Sequence, residues 1–295
     1  MNKPYIEFKQ QRDFGAILSV TFGFLRNEFK PFMKAIFNIA GPAIILFIAA
    51  MALYTYVVGD IFNFDIYGDN PTNNFNPLII LFVALVYLVS FVAAYILAGS
   101  TALHYLKSYI DNKGNVNIAD VKRKVYKTFW GFLGLGILKG ITLGFALVLC
   151  ILPVFYAMVP MAIVLSIYVF ETRRSATDAY SHSFYLVNED FWTALGTFIV
   201  LGLIFYALSM VVSIPTIIYL YAKMGIFSGE IDPANMTGFV DPIYILLNVL
   251  NTLFQFLLNF ILVIGGAVVY FHLNEKRNFT GTYERISNIG EHIEK

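Results

Sequence analysis

The sequence predicts an all-α polytopic membrane protein: six transmembrane helices, arranged as three repeats of an interfacial amphipathic helix followed by a transmembrane hairpin. Three observations predict it. Hydrophobic residues make up 58% of the chain and charged residues 13%, which leaves too few polar groups to cover a soluble globule. Apolar runs near the roughly 20 residues that a helix needs to cross a hydrocarbon core recur along the chain. The stretch from Val125 to Gly134, with Phe129, Trp130 and Leu133, recurs as Val187 to Gly196, with Phe191, Trp192 and Leu195, so the only two tryptophans hold one place in two copies of a unit. Leu25 to Phe29 followed by the apolar run from Ala35 is a degenerate third copy.

The amino-terminal dozen residues carry Lys3, Glu7, Lys9 and Arg12 and no short apolar core before a small-residue cleavage site, so they are not read as a cleavable signal peptide. Phe14, Ile17, Leu18, Phe22, Leu25 and Phe29 then recur at helical spacing against Arg12, Asp13, Arg26 and Lys30, the pattern of a helix lying in the membrane interface. Crossings are expected near residues 35 to 58, 78 to 104, 129 to 151, 155 to 170, 192 to 221 and 242 to 272. The third and fourth are the shortest pair, with Leu152-Pro153 as their turn. A second amphipathic stretch follows Asp111 to Gly114, with Asp120 as a candidate cap. A third opens at Ser175, with Asp178 at capping-box spacing. The chain thus reads as one integral membrane domain, 1 to 295, with repeats over about 12 to 106, 116 to 170 and 175 to 272 and a tail over 273 to 295.

Charge sets the orientation, because lysine and arginine are retained on the cytoplasmic side. With six crossings, every one of the 20 basic residues except Lys139 and Lys223 falls on one side, together with both termini. The other side carries Asp60, Asp65, Asp69, Glu230, Asp232 and Asp241. The chain is therefore expected to be multi-pass with both termini cytoplasmic. Phe129, Trp130, Phe191 and Trp192 are expected to anchor helices at the headgroup level, where an amphipathic ring is favoured.

Inside the crossings, Gly136, Gly140 and Gly144 repeat every four residues and form a smooth ridge against which another helix can pack. Beside them Lys139 falls about 15 Å beyond the Phe129-Trp130 boundary, near the bilayer midplane. A lysine there costs roughly 2.5 to 3.5 kcal/mol unless it snorkels or finds a polar partner. Asn248, Thr252, Gln255 and Asn259 share one face of the sixth crossing, with Asn251 flanking it. Such a stripe belongs inside the bundle, either as interhelical glue or, with Lys139, as the lining of a polar cavity for an anionic or zwitterionic headgroup.

No aspartate or glutamate falls within the six expected crossings, which argues against ion coupling and removes the usual carboxylate acid and base. His104, His182 and His272 fall at one membrane face, yet no pair has the spacing of a metal motif, and His292 lies in the tail. Ser181 and Ser183 beside His182 lack an orienting carboxylate. A single cysteine, Cys150, excludes an internal disulfide. No metal site, cofactor or nucleic-acid partner is therefore expected, the basic residues being few, dispersed and adjacent to the bilayer. Lys122, Arg123, Lys124 and Lys127 could recruit anionic lipid, although topogenic charge explains them equally.

The segment from Phe170 to Gly196 resembles the six-helix membrane domain found beside glycerophosphoryl diester phosphodiesterases and in free-standing bacterial membrane proteins of unknown function. Glu171 closing the fourth helix, Ser183, Leu186 and Trp192 match its short motifs. The resemblance implies the topology above. It does not imply phosphodiesterase activity, which in that family belongs to a separate soluble barrel that no segment of this chain could form. The resulting expectation is a protein that is not an enzyme and that binds or scaffolds membrane lipids or other membrane or cytoplasmic proteins. A transporter with a midplane polar site and an intramembrane metal-dependent enzyme are the alternatives.

Overall fold

The computed structural model of the chain describes residues 5–59, 76–149, 151–171, 174–226 and 240–293, and the described residues are helical with short connections. The helices are α1 (Phe14–Gly59), α2 (Pro77–Asp111), α3 (Ile118–Leu149), α4 (Ile151–Phe170), α5 (Ala176–Val187), α6 (Phe191–Lys223), α7 (Pro242–Asn278) and α8 (Thr280–Ile293). Six of them, α1 to α4, α6 and α7, are long and apolar enough to cross a membrane. The chain is an integral membrane protein. The outer carboxylates Asp60, Asp65, Asp69, Glu230 and Asp232, together with Cys150, lie outside the described residues.

Local chemistry accounts for most helix starts. Asn76 accepts from the Leu78 N–H at 3.1 Å and Asp241 from the Tyr244 N–H at 2.8 Å, each directly before a proline whose missing N–H costs nothing at the first helical position. Asp241 also receives Lys223 at 2.8 Å and the Tyr219 hydroxyl, so the one basic residue expected on the outer side is neutralised by the cap of α7. The Ser175–Asp178 capping box opens α5 as the sequence predicts. At α3 the cap is Asn117, whose side chain accepts from the Asp120 N–H at 3.2 Å. Asp120, the residue expected to cap, instead stands in the first turn and pairs with Arg123 and Lys124. Leu152 and Pro153 open α4, where proline is tolerated in the first turn, and are not the turn before it.

The interfacial helices also differ from expectation. Only the third is a separate element, α5, divided from α6 by Asn188 to Asp190. The first two run without interruption into their crossings within α1 and α3. At 46 residues α1 is about 69 Å long, more than twice the hydrocarbon core. Its buried face is Ile17, Thr21, Phe24, Glu28 and Phe32, while Phe14 and Phe29 from the expected apolar face are exposed.

The chain divides into two compact units. The first comprises residues 1–39, 96–205 and 260–295, and its centre is a run of aromatic contacts. Phe24 meets Phe8 at 5.5 Å, Tyr109 at 5.3 Å and Phe32 at 6.1 Å, and Phe32 continues to Tyr105 at 5.3 Å and Phe260 at 5.4 Å. Phe8 extends the run to Phe271 at 6.0 Å, so the amino-terminal segment is part of the core. Each such edge-on pair adds about 0.5 to 1.5 kcal/mol beyond the area it buries. The second unit comprises residues 40–95 and 206–259, with Phe47, Tyr87, Phe91, Tyr95 and Phe256 in mutual contact.

Candidate functional site

The two tryptophans fall in the first unit with matching local geometry. Phe129 and Trp130 meet edge-on at 5.5 Å, and Phe191 and Trp192 at 5.4 Å. Trp130 is 75% and Trp192 79% exposed. Upstream of Trp130, Val121 and Val125 turn inward with Ile39, while Lys122, Arg123, Tyr126 and Lys127 are exposed. Upstream of Trp192 stand Glu189 and Asp190, each already paired: Glu189 with Arg277, and Asp190 with Lys276 at 2.8 Å and His272 at 3.3 Å.

Around α5, the side chains form a closed network. Glu171 lies beside Arg174, within 3.5 Å of His182 Nε2, and accepts from the Tyr270 hydroxyl at 3.3 Å. The Arg277 guanidinium lies 3.3 Å above the Tyr185 ring. Burial holds the His182 imidazole below its usual pKa; Glu171 opposes this, and Arg174 and Arg277 add to it. Arg174, Asp178, Ser181, His182 and Tyr185 line an open depression of about 470 Å³. Ser183 and Leu186, which match the resembled family, are fully buried, and the Ser183 hydroxyl donates to the Tyr180 carbonyl.

The three histidines at this level serve different contacts. His104 Nε2 lies 3.0 Å from the Thr128 hydroxyl, and its buried Nδ1 has no partner among the described atoms. His272 Nδ1 accepts from the Arg12 N–H at 3.0 Å, which leaves Nε2 to donate to Asp190. Among the described residues, no three histidine, cysteine, aspartate or glutamate side chains are grouped to hold a metal ion.

Lys139 is half-buried on the face of α3 that also carries Phe132, Leu135 and Ala146, and it makes no hydrogen bond or ion pair among the described residues. Gly136, Gly140 and Gly144 are exposed, and an added Cβ at each would meet nothing within 4 Å; among the described residues no helix fills the expected ridge. The stripe on α7 belongs to the second unit and Lys139 to the first. There Asn251 accepts from Ser213 of α6 at 3.2 Å and from Gln255 at 3.2 Å. Asn248, Thr252 and Asn259 are half-buried. The residue expected to flank the stripe is therefore the one that bonds across helices.

Two buried carboxylates, Glu28 and Glu275, and the half-buried Asp190 carry contacts that the sequence alone does not reveal. Glu28 accepts from the Tyr105 hydroxyl at 3.0 Å inside α1, which places a carboxylate within a membrane-length helix. Its signal was the inward periodicity of Phe24, Glu28 and Phe32. Glu275 holds the start of α8, and Asp190 joins α7 to the α5–α6 turn. Compared with family models, curated proteins and solved structures, the chain has no match.

Proposed function

We propose that this protein is a non-enzymatic binding or scaffolding component of a bacterial inner membrane, with both termini cytoplasmic, and that what it holds is membrane lipid or partner protein. The observation that carries this reading is the use made of buried polar groups in the first unit. His104 joins α2 to α3, His272 joins α7 to Arg12 and Asp190, Glu28 joins α1 to α2, and Glu275 holds α8. Groups committed to such contacts stabilise a frame, and the Thr128 hydroxyl beside His104 also donates to the Lys124 carbonyl at 2.9 Å. The resemblance to the free-standing six-helix domain family is part of the same proposal. Native mass spectrometry of the full chain released from nanodiscs tests it: lipid or protein that stays bound through detergent exchange is expected. A pure chain that retains neither, and converts or moves a solute in sealed vesicles, contradicts it.

One observation favours a second reading. Glu28 is a carboxylate buried on α1 against Tyr105, ahead of the first expected crossing, and buried carboxylates of membrane proteins serve as steps in proton relays. Transport reading and binding reading part on one variant: Glu28→Gln abolishes proton-driven uptake in the first and leaves retained lipid or protein unchanged in the second.

A further inference from the structure

The tryptophan seams share geometry and differ in charge. Around Trp130 four cations, Lys122, Arg123, Lys124 and Lys127, stand against one carboxylate, Asp120. Asp120 engages Arg123 at 2.6 Å and Lys124 at 2.7 Å, so Lys122 and Lys127 are exposed with no bond among the described residues. Around Trp192 two carboxylates meet two cations, Glu189 with Arg277 and Asp190 with Lys276, and every charge is answered.

Along α3 the exposed surface is graded. Arg123, Lys127, Trp130, Ile137, Ile141 and Phe145 follow at intervals of three, four or seven residues and so share one face. All six are exposed, and the four apolar ones are between 56% and 75% exposed. From Lys127 to Ile141, about 21 Å of helix and so near the length of one phospholipid, cation, interfacial ring and apolar surface therefore succeed each other in the order of headgroup, glycerol level and acyl chain. The glycines at 136, 140 and 144 leave open space beside this face, where a chain can lie close to the helix backbone.

We propose that the outer face of α3 is a docking surface for one anionic phospholipid, with its phosphate at Lys127 beside Arg123 and an acyl chain along Trp130, Ile137 and Ile141, and that the Trp192 seam does not select charge. This rests on the binding reading above and names its ligand class. Charge complementarity decides for lipid over a second copy of the chain, because a like copy would bring the same four cations to the contact.

Because the chain has only two tryptophans, the full-length variants Trp192→Phe and Trp130→Phe each report one seam. Fluorescence quenching is measured in vesicles carrying either brominated phosphatidylglycerol or brominated phosphatidylcholine in an otherwise unbrominated bilayer. Trp130 is expected to prefer the anionic quencher, the preference falling about fivefold for Lys127→Gln and less for Lys122→Gln, which stands about 140° round the helix from Lys127, while Trp192 shows none. Equal preference at both seams, or a Trp130 preference indifferent to the lysines, overturns the inference. A Trp130 quenched by neither lipid also overturns it, since another protein then covers the face; that outcome leaves the scaffolding reading standing. Circular dichroism of each variant checks that it is folded.

Discussion

The Glu275 carboxylate accepts the Gly281 backbone N–H at 2.7 Å, binding the end of α7 to the beginning of α8. It also accepts from the Thr282 N–H at 2.8 Å and from the hydroxyls of Thr280 and Thr282. A buried anion thus satisfies the free donors of a helix start and is stabilised by them in return. Hydrogen bonds to charged groups contribute about 1.5 to 3 kcal/mol each. In Glu275→Gln the loss of charge is expected to weaken α8 docking by about 2 kcal/mol, raising amide exchange over residues 281 to 287 roughly 30-fold. Glu284→Gln, which breaks only the exposed pair with Lys9, should change it by less than about fivefold.

Gly281 is required for a different reason. A Cβ there would lie 2.4 Å from the Lys9 carbonyl oxygen, a backbone atom that cannot swing away. Gly281→Ala is expected to lift α8 from the amino-terminal segment at a cost of about 1 to 3 kcal/mol. Gly140→Ala meets nothing within 4 Å and gains helix propensity, so its melting temperature in detergent should equal or exceed that of the wild type.

Acid should destabilise the first unit in two stages. His182 is held below its usual pKa by burial, so below about pH 6.5 the unfolded chain takes up its proton first and stability is lost as the pH falls through that window. Asp190 is held down to about 2: burial pushes it up, and Lys276, Thr193 and His272 outweigh that by hydrogen bonding to the anion. Its contribution is fully present above about pH 4 and is lost toward pH 2. Melting curves across pH should show both limbs, the upper one shallower in His182→Gln and the lower one shallower in Asp190→Asn.

In the second unit, Ser213 and Asn251 offer a clean pair across α6 and α7. A double-mutant cycle with Ser213→Ala and Asn251→Ala should give a coupling near 0.6 kcal/mol, the average for hydrogen bonds between membrane helices. A coupling above about 1.7 kcal/mol, the largest seen for such bonds, would mean that Asn251 does more than join the two helices.

The membrane class and the six long helices were legible because hydropathy and length act locally along the chain. The Ser175–Asp178 start of α5 was legible for the same reason, cap and partner being three residues apart. What escaped depends on partners distant in sequence. Phe8 reads as a residue of a charged tail, yet it packs on Phe24 and Phe271. Glu275 reads as a tail charge, and its role exists only because the chain turns at Phe279, φ 50°, to bring α8 back over it. Glu28 escapes because Phe14, Phe22 and Phe29 of the expected apolar face are left on the outside or only partly covered, while Phe24 and Phe32, four residues either side of Glu28, turn inward. In a membrane helix the most apolar face can be the one turned to lipid, and the inward face then tolerates threonine and glutamate. The glycine ridge shows the same ambiguity, since close packing and open lipid contact leave identical sequence patterns.

Sidedness underlies every functional reading, and site-directed labelling measures it. In a Cys150→Ser background, single cysteines at Lys30, Asp65, Asp232 and Arg285 are exposed in intact cells to a membrane-impermeant maleimide. Six crossings with both termini inside predict labelling at 65 and 232 alone, and labelling at 30 and 285 only after the cells are opened. Labelling of 30 and 285 from opposite sides would mean an odd number of crossings, and would contradict both the arrangement of the helices and the placement of the cationic seam against the cytoplasmic leaflet.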